Sequence, residues 1–233
     1  MYIYLYLNLF TIFFPLLLSF DKRVQFYKKW KYLFPAMLIT GIFFVSWDVL
    51  FTQNGVWGFN PEYLTGIYFM GLPLEEILFF VTVPYACVFI YETLNAYLTK
   101  DYLNRFSSVI TVLLLVFLLF TAAFNLPQLY TSITFFLLIL ALIVHYFLFK
   151  KEVIGRFYLA YLVHLLPFLL VNGVLTYLPI VWYNNSYNLG IRIVSIPVED
   201  TMYSMLMLLM TITIFEAFRR KDIKKQNRPV MVK

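Results

Sequence analysis

Apolar positions run along this chain in long blocks, and polar positions collect between them. Seven blocks approach the ~20 residues that a bilayer-crossing helix needs: residues 2–20, 32–51, 72–94, 106–124, 129–149, 157–178 and 196–218. The connections alternate in character. Lys22, Arg23, Lys28, Lys29 and Lys31 follow the first block, Lys100 and Arg105 the third, and Lys150, Lys151 and Arg156 the fifth. Arg219, Arg220, Lys221, Lys224, Lys225, Arg228 and Lys233 follow the seventh. With seven spans, 17 of the 18 basic residues share one side and only Arg192 lies on the other. Because cytoplasmic loops carry the excess of Lys and Arg, the pattern predicts the N-terminus outside and the C-terminus in the cytoplasm. On the opposite side, connections 52–72 and 179–195 are long, aromatic and rich in Asn and Gly, whereas 125–128 is a tight turn. Residues 63–70 are apolar but too short to span, so an interfacial or re-entrant piece is expected there, with 184–187 in a like role.

Composition changes the picture in one respect: it removes the soluble alternative. The chain is 62% hydrophobic and 13% charged, with mean hydropathy +0.80, against roughly 45–50% and about 25% in soluble domains. The expected fold class is all-α, a polytopic membrane protein, in the cell membrane of a prokaryote. The net charge of +6 then suits an anionic lipid leaflet and gives no reason to expect nucleic acid. Cys87 is the single cysteine, so the chain has no internal disulfide. No CxxC or HExxH spacing is present, and no metal is expected. No GxGxxG or Walker loop is present either, and no cofactor is expected. The seventh block contains no lysine, which rules out a retinal Schiff base there. The apolar N-terminus lacks a basic leader region and a small-residue cleavage site, so it is read as a retained helix.

Two motifs break the apolar pattern. Pro73-Leu74-Glu75-Glu76 opens the third block and Pro197-Val198-Glu199-Asp200 opens the seventh, at an offset of 124 residues. The same ungapped offset pairs Phe44 with Phe168, Gly66 with Gly190 and Glu92 with Glu216, and sets Asp48 on Asn172 and Thr40 on His164. This reads as an internal duplication: a first three-helix repeat (1–98), a linker helix (99–127), a second three-helix repeat (128–218) and a basic tail (219–233). One linker helix keeps both triplets in the same orientation, a parallel 3+1+3 repeat about an axis along the membrane normal. Both acid motifs then sit at one depth, and the four carboxylates are expected to face one another.

A plain structural account is available. Pro suits the first helical position, and an acid in the first turn complements the helix dipole. That explains one acid per helix, not two, duplicated, with Asp48 nearby; acids in spanning segments are costly and functional by default. The sharper reading is an acid–base centre made of Glu75, Glu76, Glu199 and Asp200. Four acids with only Arg192 on that side cannot all be ionised in a dry pocket, so at least one neutral, proton-donating carboxyl is expected. Phe79, Phe80, Tyr85 and Tyr203 follow within a few turns and could stabilise a cation through their ring faces, although ordinary packing explains any one of them. His164, Phe168 and Asn172 recur at four-residue steps, as do Thr40, Phe44 and Asp48, giving a polar lining in which His164 alone reads more simply as an interhelical hydrogen bond. Glu92 and Glu216, near the basic helix ends, read as ion-pair partners.

At these residues the chain resembles the membrane-integral carotenoid cyclases, known as paired small subunits, as fused chains and as domains joined to phytoene synthase. The resemblance covers essentially the whole chain, with residues 72–80 its most specific part and Asp200 closing the second motif. It implies redox-neutral lycopene β-cyclisation. A carboxylic acid, Glu75 or Glu199, would protonate an acyclic end group, and Glu76 and Asp200 would complete the centre. Lycopene or a related acyclic carotenoid is the implied substrate. Membrane lipid, a second copy of the chain or other carotenoid-pathway enzymes are the partners to look for. Because neighbouring helical positions point about 100° apart, one acid of each pair should face the substrate. The rival class is a small proton-coupled transporter with the same 3+1+3 plan, which would need a polar path where the cyclase needs an apolar, side-opening groove.

Overall fold

The computed structural model describes residues 2–226. Seven helices form the bundle: α1 (Ile3–Leu18), α2 (Trp30–Gln53), α3 (Leu74–Tyr97), α4 (Ser107–Phe124), α5 (Leu129–Phe149), α6 (Ile154–Tyr177) and α7 (Val198–Gln226). Among the described residues six of them, α2 to α7, are long and apolar enough to cross a membrane. Length alone does not show a seventh span at α1. Its 16 residues cover only about 24 Å at 1.5 Å per residue, short of the ~30 Å hydrocarbon core. The last helix runs on to Gln226, so the basic stretch after Phe218 begins as helix; Arg228 and Lys233 of the expected tail lie outside the described residues.

α3 and α7 form the centre. α1 packs on α3 and α5 on α7, while α2 lies against α7 and α6 against α3, so the two runs of helices interlock. α4 sits outside, against α5. Large apolar side chains cover the outward faces, Phe10, Leu113, Phe147 and Leu166 among them, as expected where the surrounding solvent is hydrocarbon. α1 is fastened by a buried polar bridge: Asn8 donates to the Glu75 carbonyl at 2.9 Å and accepts from Thr82 Oγ1 at 2.7 Å.

Ion pairs gather at one end of the bundle. Glu92, fully buried, takes Lys29 and, at 3.3 Å, Arg219; Arg219 also reaches Glu216 at 3.2 Å. This is the role read for both glutamates from sequence. Tyr85 belongs near this end too, with its hydroxyl 2.6 Å from Ser19 Oγ and bonded by the Trp30 indole, so it does not join the acids as expected.

The opposite end is roofed by short strands. β1 (Trp57–Phe59) pairs antiparallel with β4 (Val181–Tyr183), joining the two long connections. A Cβ on Gly58 would lie 2.3 Å from the Trp182 ring, so any side chain there would have to displace that ring. The apolar stretch expected to be interfacial forms the hairpin β2 (Tyr68–Phe69) with β3 (Leu72–Pro73), turned by Met70 and Gly71 at positive φ. β5 (Arg192–Ile193) and β6 (Ile196–Pro197) form a second hairpin. In both, the strand ends on proline and the helix starts at the next residue, because proline cannot extend the ladder yet is preset for a helix start.

Candidate active site

Beneath the strand roof lies a cavity of about 60 Å³. Three carboxyl groups line it: Asp48 from α2, Glu76 from α3 and Asp200 from α7. Each is held by a different donor set. Tyr4 donates to Glu76 Oε2 at 2.5 Å. The Trp57 indole N–H donates to Asp48 Oδ1, and Asp48 Oδ2 has no partner among the described residues. Asp200 receives three bonds: Tyr130 to Oδ1 at 2.6 Å, and Asn172 at 2.7 Å and Tyr183 at 2.9 Å to Oδ2. Burial, followed by the Asp200 carboxylate, pushes the Tyr183 hydroxyl well above the ordinary tyrosine range, which keeps it a donor.

Glu75 and Glu199 turn away from this cavity. Glu75 Oε1 accepts the backbone N–H of Thr65 at 2.6 Å. Glu199 Oε1 accepts the N–H of Leu189 at 2.7 Å and the Thr131 hydroxyl at 2.7 Å. Both side chains are fully buried, and the Oε2 of each has no partner among the described residues. Four carboxylates facing one another, as expected from the motifs, is therefore not what is found. The helix turns adjacent residues apart, so the first acid of each pair anchors the preceding loop and the second reaches the cavity.

Aromatic rings complete the enclosure. Tyr203 stands 5.0 Å from Trp47 and 5.1 Å from Phe44, ring centre to ring centre. Trp57 lies 5.1 Å from Tyr130, which stacks on Tyr183 at 6.0 Å. Of the other residues singled out from sequence, Phe79, Asn172 and Tyr203 line the cavity. Phe80 does not; it packs behind, on Phe44 at 6.1 Å. Arg192 does not either. Its guanidinium lies over the Tyr183 ring at 5.5 Å and donates to Asn185 at 2.5 Å. His164 faces neighbouring helices, with Nε2 2.8 Å from Ser204 Oγ and Nδ1 3.1 Å from Cys87 Sγ.

Tyr4, Trp57, Tyr130 and Tyr183, which hold the carboxyl groups, were not singled out from the sequence. The offset of 124 offered a weak signal, since it sets Tyr183 on Phe59 and both line the cavity.

A second space adjoins the first. An apolar groove of about 230 Å³ runs between α1, α3 and α6, past Phe10, Phe14, Ala86 and Pro167, and shares Phe79, Val83, Phe168 and Asn172 with the acid cavity. Phe10 and Phe14 are more than half exposed, so the groove opens sideways toward hydrocarbon.

Fold and site together define a helical membrane protein with a carboxyl-lined, aromatic-walled cavity that opens into an apolar groove. A family model described as lycopene cyclase matches residues 1–94 and 127–218, and the chain belongs to that family. It is an enzyme of carotenoid biosynthesis with a carotenoid substrate. No curated protein and no solved structure matches it.

Proposed function

We propose that the protein is a lycopene β-cyclase, an isomerase that closes β-ionone rings at the ends of lycopene by proton transfer. The observation that carries this reading is the continuity of the apolar groove with a cavity lined by Asp48, Glu76 and Asp200. A hydrocarbon tail can lie in the groove while one end group meets the acids. The terminal double bond takes a proton, the tertiary cation is attacked by the nearby alkene to form the six-membered ring, and a carboxylate removes a ring proton. Proton gain and loss cancel, and no electrons change hands.

Glu76 suits the donor. Its Oε2 is held by Tyr4, and the carboxyl group lines the cavity that the groove adjoins. Asp200 suits the base, because three donors balance the charge of its carboxylate. Asp48 and the faces of Trp57 and Tyr203 would stabilise the cation between those steps, an aromatic face contributing about 0.5–2 kcal/mol. This moves the acid role from Glu75 or Glu199 to the second acid of the first motif.

The parallel 3+1+3 duplication belongs to the same reading. Contacts recurring at the 124-residue offset support it. Leu74 N–H bonds Ile67 O and Val198 N–H bonds Ile191 O; Asn60 N–H bonds Ile180 O and Asn184 N–H bonds Val56 O. The unmatched stretch between the two family segments holds α4. With the ion-paired, basic end in the cytoplasm, the acid cavity lies toward the outer face of a prokaryotic cell membrane. The transporter reading gains nothing from the family match, and the space next to the acids is apolar.

Expression in a lycopene-accumulating bacterium tests the proposal. Monocyclic and bicyclic carotenes should replace lycopene in extracts. Unchanged lycopene with the protein present in the membrane would overturn it.

A further inference from the structure

The groove between α1, α3 and α6 has a twin. Phe43 of α2, Leu137, Leu140 and Ala141 of α5, and Leu206 and Met210 of α7 line a second apolar groove of about 220 Å³, nearly the size of the first. The two differ in where they lead. The first shares four lining residues with the acid cavity; the second shares none.

The reason is aromatic. Phe44, fully buried, lies 5.3 Å from Phe43 and 5.1 Å from Tyr203, and Tyr203 lies 5.0 Å from Trp47. These rings stand between the second groove and the carboxyl groups. At the 124-residue offset Trp47 is replaced by Val171, which lines the open groove. A large ring closes one side where a small side chain leaves the other open.

Resting on the cyclase reading, we propose that the α1–α3–α6 groove is the single carotenoid entrance, and that the two ends of a linear carotenoid are cyclised in two separate visits. One cavity holds one end group while the rest of the molecule occupies the groove. For the second end to reach Glu76, the one-ring product must withdraw, turn end for end and enter again. The one-ring carotene is therefore released into the lipid between the two closures.

Purified protein in lipid bilayers, supplied with lycopene, provides the test. Ala86→Trp, in the first groove, should lose cyclisation, whereas Ala141→Trp, in the second, should keep it. Thr11→Trp and Leu137→Trp repeat the comparison from α1 and α5, and decide the matter if Ala86→Trp fails to accumulate. With enzyme limiting, isotopically labelled one-ring carotene added during the reaction should enter the two-ring product in proportion to its share of the one-ring pool. Loss of activity from the second-groove variants, retention in those of the first, or two-ring product that excludes the label would overturn the inference. Absence of any ring from the unaltered protein would instead overturn the cyclase reading.

Discussion

Tyr4 donates its hydroxyl hydrogen to Glu76 Oε2 at 2.5 Å, across 72 positions of sequence. Tyr4 is the donor that holds the Glu76 carboxyl group, whereas Asp200 has three donors. Removing one donor should therefore matter more at Glu76. Tyr4→Phe is expected to slow cyclisation about tenfold, the equivalent of ~1.4 kcal/mol for a hydrogen bond to a charged or charge-developing group. Tyr183→Phe should have a smaller effect. Rates per folded molecule check this, and a larger loss from Tyr183→Phe would refute the ranking.

Glu76→Gln and Asp200→Asn keep volume and remove proton-transfer capacity. Each should lower the cyclisation rate by about 10²–10⁴-fold, the usual contribution of a positioned acid or base, while the protein still accumulates in the membrane. Pigment analysis with quantified protein reads the outcome; near-normal turnover in either variant would remove that residue from the mechanism.

Glu199 holds Leu189 and Thr131 through a single oxygen. Glu199→Gln retains a carbonyl oxygen for this contact and should keep most activity. Glu199→Ala should destabilise the fold by about 1–3 kcal/mol through unpaired buried donors, as followed by thermal unfolding in detergent. The same contrast is expected at Glu75, which holds Thr65. A folded Glu199→Gln protein without activity would return the acid role to the first position of the motif.

Glu92 separates stability from chemistry. It is fully buried and pairs with Lys29 and Arg219, far along α3 from the cavity. Glu92→Gln should cost about 3 kcal/mol, the lower end for breaking a buried pair, because Arg219 keeps Glu216. Turnover per folded molecule should not change. A selective loss of turnover at unchanged melting temperature would contradict the structural role.

Much of this molecule was legible in the order of its residues because lipid is an unforgiving solvent. Acids at the head of an apolar block are costly there, so Glu75, Glu76, Glu199 and Asp200 were conspicuous. Which acid of each pair meets the cavity depends on helix rotation, to which spacing alone is blind. The donors were hidden for a different reason. With 19 tyrosines and 26 phenylalanines in the chain, a functional Tyr4 or Tyr130 looks like packing. The ungapped offset also pairs Tyr130 with Tyr6, whereas the residue that bonds the matching acid is Tyr4. Strands of two or three residues, such as β1 and β4, have no periodicity to read; their pairing is set by the approach of two distant loops and by the missing side chain of Gly58.

Residues from α1, α2, α3, α5, α6 and α7, and from β1 and β4, line the acid cavity; among the described helices α4 alone supplies none. This has a consequence for the timing of synthesis. While the ribosome is still making α5 and α6, the membrane already holds Asp48 and Glu76 but not the carboxyl group opposite them. On the proposed mechanism, a nascent chain that stops short of Asp200 lacks the base and should be inert toward the polyenes dissolved around it. Activity would then arrive in a single event, when α7 enters the bundle.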